Sequence, residues 1–341
     1  MQPRTTVLIP TYNRAHWLGG AIESVLSQTW TDFRLVVSDN ASTDETRETV
    51  ARYTGDQRVS YVRRDHNVDL NTHFNLCFDE LDTEFAFVLP DDDRMAADLL
   101  EVTIPELDAN PRAGMVHGQV TVVGEHGEVI AEGHGMTDLT ADTVETGEEF
   151  IRRSMAKSYR VHASTALIRT AALAGIRLDP RDYPVTDLGL WMRMALDWEI
   201  AYLARPLATY RVHPTAYSAS DAAITHGGYS ESTQRVLRSY DVKLRLIEEH
   251  AAQLGDTRGL RSEARRRFRA ELVASAAEQL VPERRFASTV RTLGWLCRLD
   301  ARVALMPTAW KLLAGSVIGH RGVSVVKRVL RRPRTSLEVP A

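Results

Sequence analysis

Three consecutive carboxylates, Asp91-Asp92-Asp93, directly follow the apolar run Phe85-Ala86-Phe87-Val88-Leu89. Side by side at a strand end they repel one another unless a cation or hydrogen-bond donors intervene. A divalent metal bound by one or two carboxylates and completed by substrate phosphates is one resolution. An acidic turn that caps the next helix is the other, and the triplet alone does not choose between them. Two further segments carry polar chemistry. Asp39-Asn40-Ala41-Ser42-Thr43-Asp44 offers an acid able to accept hydrogen bonds from a ribose or a base N–H. Ile9-Pro10-Thr11-Tyr12-Asn13-Arg14 offers an aromatic face, a cation and backbone donors near a helix start.

The elements that would position these segments alternate in kind. Val7-Leu8-Ile9 is a short buried-strand run closed by Pro10, and Leu18, Ala21, Ile22, Val25 and Leu26 recur at helical spacing. Leu35-Val36-Val37 predicts a second strand. Ser42 and Glu45 predict a capping box opening a helix towards Tyr53. Strands over 59–62 and 85–89 enclose a helix over 71–81. This alternation predicts an α/β fold with a largely parallel, doubly wound sheet, whose ligands sit beyond the carboxyl ends of strands. All three polar segments lie at such ends. Further on, 115–133 predicts a hairpin turning at Gly124–Gly127, and Val161–Arg169 a strand whose His162 either lines a cleft or is half-buried. A helix carrying Leu190, Trp191 and Met194 follows Asp187, and Ile200–Leu203 is strand-like. Beyond a boundary near 218–230 the chain reads as helical.

Taken together, the motifs Val7–Arg14 (VLIPTYNR), Ala21–Thr29 (AIESVLSQT), Val36–Thr46 (VVSDNASTDET), Val88–Arg94 (VLPDDDR), Asp187–Arg193 (DLGLWMR) and Ala201–His213 (AYLARPLATYRVH) resemble the family 2 glycosyltransferases with the GT-A fold. The resemblance covers about residues 4–218 in the family's order. It implies a nucleotide-sugar-binding half over 1–110 and an acceptor-binding and catalytic-base half over 111–220; the composition beyond adds a mainly helical, basic extension over 221–341.

The resemblance also implies roles. Pro10, Thr11, Tyr12, Arg14 and Asp39 hold the donor, a UDP or dTDP sugar. Aligning the triplet from the downstream helix Ala97–Leu100 puts Asp92 at the metal, with Asp93 assisting, and Asp91 near the ribose; a literal Asp-x-Asp instead selects Asp91 and Asp93. His213 matches a position that helps hold the metal, Mg²⁺ or Mn²⁺, or the diphosphate; as a lone histidine it reads equally as a loop or core residue. Asp187 matches the general base of an inverting reaction, and its place at a helix start also fits a simple N-cap. Two departures stand out. Thr186-Asp187 replaces the family's usual Glu-Asp, and Asn67-Val68-Asp69 replaces an Asn-x-Gly loop, which makes Asp69 a further donor-binding candidate.

Composition bounds the rest. Two distant cysteines, Cys77 and Cys297, predict no disulfide framework and fit a reduced cytoplasmic compartment. No signal-peptide pattern and no apolar run of roughly 18 residues is present. A net charge of -3 conceals twelve Lys or Arg against two acids between Pro282 and Arg334. With Trp310, Leu312, Leu313, Val317 and Ile318, then Val323, Val326, Val329 and Leu330, at helical spacing, that segment suits peripheral contact with the inner face of a membrane. Packing on the acidic catalytic domain, or a homodimer contact, explains the same pattern. The acceptor is then a glycan, a lipid-linked saccharide or a small molecule. No nucleic-acid motif accompanies the charge. A nucleotidyltransferase, or a silent sugar-nucleotide-binding protein, is the competing class; the first generally has a Gly-rich basic N-terminal loop, which Leu8-Ile9-Pro10-Thr11-Tyr12 is not.

Overall fold

The computed structural model describes residues 2–134, 138–156, 161–213 and 231–280, with scattered positions between 290 and 313. They divide into two compact units, Met1–Thr225 with Arg238–Arg261, and His226–Leu237 with Ser262–Ala341.

The first unit is built on one sheet. Its leading strands β1 (Thr5–Thr11), β2 (Phe33–Asp39), β3 (Val59–Arg63) and β4 (Phe85–Val88) pair in parallel in the order β3-β2-β1-β4. Their apolar residues explain the arrangement. Val7, Ile9, Leu35, Val37, Phe85 and Phe87 are buried with Leu18, Ile22 and Val25 of helix α1 (Ala15–Leu26) in one core. Helices α2 (Thr46–Ala51), α3 (Leu70–Asp79) and α4 (Leu99–Ala109) complete the connections. The sheet continues through β9 (Leu167–Arg169), antiparallel to β4, into β6 (Ala113–Val123) and β10 (Glu199–Arg211), which pair in parallel. Short strands β5 (Arg94–Met95), β7 (Val129–His134) and β8 (Thr143–Glu145) join antiparallel at its margins. Helices α5 (Gly147–Ala156) and α6 (Thr186–Met194) lie between β8 and β10 in sequence. The expected α/β architecture, a central mostly parallel sheet flanked by helices, is present.

Several local expectations are corrected. β1 runs on through Pro10 to Thr11. The Leu8 carbonyl accepts the Leu89 N–H, so Leu8 and, two residues on, Pro10 face β4. There the ladder has ended at Leu8–Val88, so Pro10's missing N–H costs no hydrogen bond. The Ser42–Glu45 capping box does not form. Helix α2 begins at Thr46, and Ser42 Oγ instead accepts the Asn13 N–H at 2.9 Å. Asp44 does the capping, for two helices: it accepts the first N–H of α1 from Ala15 (3.0 Å) and that of α2 from Thr46 (3.2 Å). Burial alone would raise its pKa, yet these bonds and the Thr46 hydroxyl hold the carboxylate below the usual range.

Residues 161–169 are not one strand. A 3-10 turn, Ala163–Thr165, precedes β9, closed by the Thr165 hydroxyl on the His162 carbonyl (2.8 Å). β10 is far longer than Ile200–Leu203, because register shifts around Pro206 let it bend and continue beside β6. The 115–133 hairpin is present as β6 and β7, its turn carrying Gly127 at φ +90°.

Helices α7 (Glu231–Glu249), α8 (Ala251–Leu254) and α9 (Thr257–Leu280) follow. The boundary placed near 218–230, and Leu312, Val317, Ile318 and the basic stretch to Arg334, lie outside the described residues. Among the described residues no helix is long and apolar enough to cross a membrane. Trp310 is exposed, and the two cysteines are unbridged.

Candidate functional site

The triplet follows β4, and each of its carboxylates is held by a different element. Asp91 is buried and accepts the Thr11 hydroxyl from the end of β1 at 2.6 Å. Asp92 Oδ2 receives Arg14 Nη1 at 3.1 Å and lies 3.0 Å from His213 Nε2, two residues past β10. Asp93 is buried and points to the second half of the sheet, where it accepts the Ser164 hydroxyl and the Arg211 N–H (2.8 Å). Arg211 strengthens this junction with its guanidinium on the Asp92 carbonyl (3.1 Å) and on the hairpin carbonyls of Gly124 (3.1 Å) and Glu125 (2.9 Å).

Electrostatics follow from this crowding. Burial, and then the charge of Asp92, push Asp91 up to about 7 and raise Asp93 well above the carboxylate range. Three ionised carboxylates cannot share such a loop without cations. Arg14 supplies one. Its guanidinium lies 5.5 Å from the Trp17 ring, and Trp17 in turn stacks on His213 with ring centroids 3.8 Å apart. Thr11, Arg14, Asp91, Asp92 and His213 are thus brought together. Asp93, next in the chain, has both of its oxygens engaged by Ser164 and Arg211.

A second cluster closes the end of β2. Asp39 is buried and accepts the Ser42 N–H (2.8 Å) and the Tyr61 hydroxyl (2.5 Å), with Arg63 at 3.4 Å. Burial and then Asp39 raise the tyrosine to about 12. Asn13 and Ala41 both adopt positive φ, 54° and 63°, a conformation that costs a non-glycine residue about 1 kcal/mol or more. Asn13 is held there by the Thr43 N–H on its Oδ1 (2.8 Å). Asn40 clamps the 67–69 segment through both amide atoms on Val68, at 2.8 and 3.0 Å. Tyr12 is 45% exposed at the rim. Asp69 is exposed and caps α3 by accepting the Thr72 N–H at 3.1 Å, and the Thr72 bonds hold it below the usual range.

Asp187 comes from a separate element, the first turn of α6, where it accepts the Leu188 N–H at 2.9 Å. The N-cap is Val185, so Asp187 sits inside the helix and not at the cap. The helix is anchored behind it by Asp182, fully buried, which binds Arg193 of α6 at 2.8 Å and Arg245 of α7 at 2.5 Å. A Cβ at Gly189 would overlap the Asp182 carboxylate, so α6 approaches this closely only because glycine stands there.

Sequence reasoning did not single out Trp17, Tyr61, Asp182, Ser164 or Arg211 for these roles. Arg211 and Ser164 lay inside segments already under inspection, but nothing in their spacing says that they meet Asp93. Asp182 carried no signal, since its partners are 11 and 63 residues away.

The geometry can be set beside known proteins. A glucosyltransferase of Campylobacter jejuni, named for GalNAc(5)-diNAcBac-PP-undecaprenol, is 30% identical over 125 residues, which is 36% of this chain and 40% of that enzyme. The validoxylamine A glucosyltransferase of Streptomyces hygroscopicus is 45% identical over 62 residues, 18% of this chain and 15% of that one. The chain therefore spans less than half the length of these relatives. Among solved structures, the 1–349 fragment of TarS from S. aureus in complex with UDP-GlcNAc shares the fold, with a TM-score of 0.54 at 17% identity, over 98% of this chain and 94% of that one. The family described as "Glycosyl transferase family 2" matches residues 6–177, half of the chain and all of the Thr11–Asp93 framework, and the chain belongs to that family.

Proposed function

We propose that the chain is an inverting glycosyltransferase that moves a sugar from a nucleoside diphosphate sugar, of the UDP or dTDP type, to an acceptor hydroxyl. The observation that carries this reading is the junction at Asp92, where Arg14 from the N-cap of α1 and His213 from beyond β10 meet one carboxylate at the carboxyl edge of the parallel strands.

On the donor side, Pro10, Thr11, Tyr12 and Asp39 hold the base and ribose, Asp91 backs Thr11, and Asp69 contributes from the rim. Asp92 and His213 fit a Mg²⁺ or Mn²⁺ ion. Their oxygen and nitrogen, 3.0 Å apart, leave most of a coordination shell to diphosphate and water. An ion held by Asp92 and His213 would supply Lewis-acid neutralisation of the charge on the departing diphosphate. Asp93 braces the loop through Ser164 and Arg211, and with the lone pairs those bonds leave it assists Asp92 at the ion.

Asp187 accepts the proton of the attacking hydroxyl. Its place in the first turn of α6 favours the ionised carboxylate that a base must be. Attack on the anomeric carbon from the face opposite the diphosphate inverts its configuration, and with one base and no nucleophile assigned, a single displacement is sufficient.

The two curated relatives differ in acceptor by name, one lipid-linked and one a small molecule, so family membership leaves the acceptor open. The excess of basic residues between Pro282 and Arg334 supports a lipid-linked acceptor met at an anionic membrane face. TarS makes UDP-GlcNAc the first donor to test. Thermal shifts with a panel of UDP and dTDP sugars, with and without Mn²⁺, followed by nucleotide release and its loss in EDTA, test the proposal. No shift and no release with any donor in the panel would remove it.

A further inference from the structure

Arg14 and His213 approach the same oxygen of Asp92. Arg14 Nη1 lies 3.1 Å from Oδ2 and 3.5 Å from His213 Nε2, while His213 Nε2 lies 3.0 Å from that oxygen. The group is sheltered: the Arg14 and Asp92 side chains are 19% and 14% exposed, and that of His213 is fully buried. A divalent ion on the Oδ2–Nε2 pair, at its usual ligand distance of about 2.1 Å, would therefore meet the guanidinium within a few ångström. Two cations that close, poorly screened by water, repel strongly. The ion and Arg14 cannot both keep Asp92.

Arg14 has somewhere else to go. A guanidinium matches the geometry of a diphosphate and binds it with charge-assisted, bidentate hydrogen bonds. The Trp17 ring is contacted by both Arg14 and His213, so the arginine can change its anionic partner while keeping that ring as a platform.

We infer that Arg14 is a resident counter-cation on Asp92, which a divalent metal replaces once a nucleoside diphosphate has drawn the guanidinium to itself. This rests on the reading of Asp92 and His213 as the metal's protein ligands. Without nucleotide, Arg14 keeps the carboxylate neutralised and metal binding weak. With nucleotide, its departure frees Oδ2, and metal and diphosphate bind cooperatively.

The test is Mn²⁺ binding to the full chain, read from the electron paramagnetic resonance signal of the free ion, without nucleotide and with saturating UDP or dTDP. The wild type is expected to bind Mn²⁺ weakly alone and about tenfold or more tighter with nucleotide. In Arg14→Met the unaided Mn²⁺ affinity should rise about fivefold or more, the gain from nucleotide should shrink, and metal-free UDP binding should weaken. Arg14→Gln carries the same expectation should the methionine variant fold poorly, whereas Arg14→Lys, which keeps the charge but not the fork, should keep unaided Mn²⁺ binding weak and recover only part of the gain from nucleotide. An arginine that merely braces the loop would give the opposite sign, with Mn²⁺ affinity falling. Unchanged or weaker unaided binding in Arg14→Met and Arg14→Gln overturns the inference while leaving the metal site standing. Absence of Mn²⁺ binding by the wild type in both conditions, or its persistence in Asp92→Asn, overturns the metal site itself and the inference with it.

Discussion

The loop after β4 and the first turn of α6 each carry a carboxylate proposed for chemistry, and the two regions are restrained by different means. Around Asp91–Asp93 the restraint is local to the site: Thr11, Ser164, Arg211 and Arg14 touch the carboxylates themselves. On α6 the restraint is behind the site, in the buried Asp182 pair with Arg193 and Arg245, five residues before Asp187. The first arrangement keeps charges from repelling one another. The second fixes the helix that carries Asp187, the proposed base. It follows that damage near the triplet should alter ligand binding, whereas damage at Asp182 should alter stability and the placing of the base.

The sharpest way to break this contrast is Asp187→Asn. Loss of the base should lower turnover by about a thousandfold, within the range for a general base, with nucleotide affinity unchanged. Retained turnover, measured by nucleotide release with the best donor, would take the role away from α6. Next in size is Asp182→Ala, which takes the shared carboxylate from Arg193 and Arg245, leaves Arg193 its longer contact with Asp179 (3.7 Å), and opens a buried void. A cost of about 3–5 kcal/mol is expected in urea unfolding, and a loss under 1 kcal/mol would mean that α6 is held by packing alone.

A third measurement compares the two halves by pH. Burial, helped by Arg64, lowers His73 to about 4, and burial, helped by His134, lowers His162 to about 4. Each is neutral when folded, and the unfolded chain binds the proton more readily. The stabilisation is therefore complete above about 6.5, the ordinary histidine value, and is lost as pH falls towards about 4, by up to about 3 kcal/mol per histidine. Replacing His73 by Gln should flatten the acid limb of the unfolding midpoint by one histidine's share, and so should His162→Gln. An unaltered limb in either variant refutes that assignment. The smallest effect belongs to Ser164→Ala, which deletes one hydroxyl from Asp93 and should cost about 1–2 kcal/mol, with a weaker Mn²⁺–nucleotide complex as its second sign.

How much of this was legible beforehand depended on distance along the chain. β1 to β4 and α1 could be read because apolar periodicity is a local property, and the loops followed from their place at strand ends. The 3-10 turn at 163–165 and the long β10 could not. The first is set by side chains closing on Asp93 and on the turn's own backbone, and the second by bulges that no periodicity encodes. At the site, Asp92 and His213 were paired by resemblance to a family, not by spacing, since 121 residues separate them. Arg14 was read as a donor-binding residue, and its contact with Asp92 is visible only in three dimensions. Asp44 stands beside the capping box expected of Ser42 and Glu45, and it serves two helices instead.

That last feature bears on how the protein could be re-engineered. One carboxylate closes the first turns of α1 and α2, and across the same gap Asn13 donates its N–H to the Ser42 hydroxyl and accepts the Thr43 N–H. Segments 11–15 and 39–46 are therefore a single inheritable cassette. A chimera that imports 39–46 from a relative without an acid at position 44 uncaps both helices, so a graft across these segments must keep that carboxylate together with Asn13 and its partners.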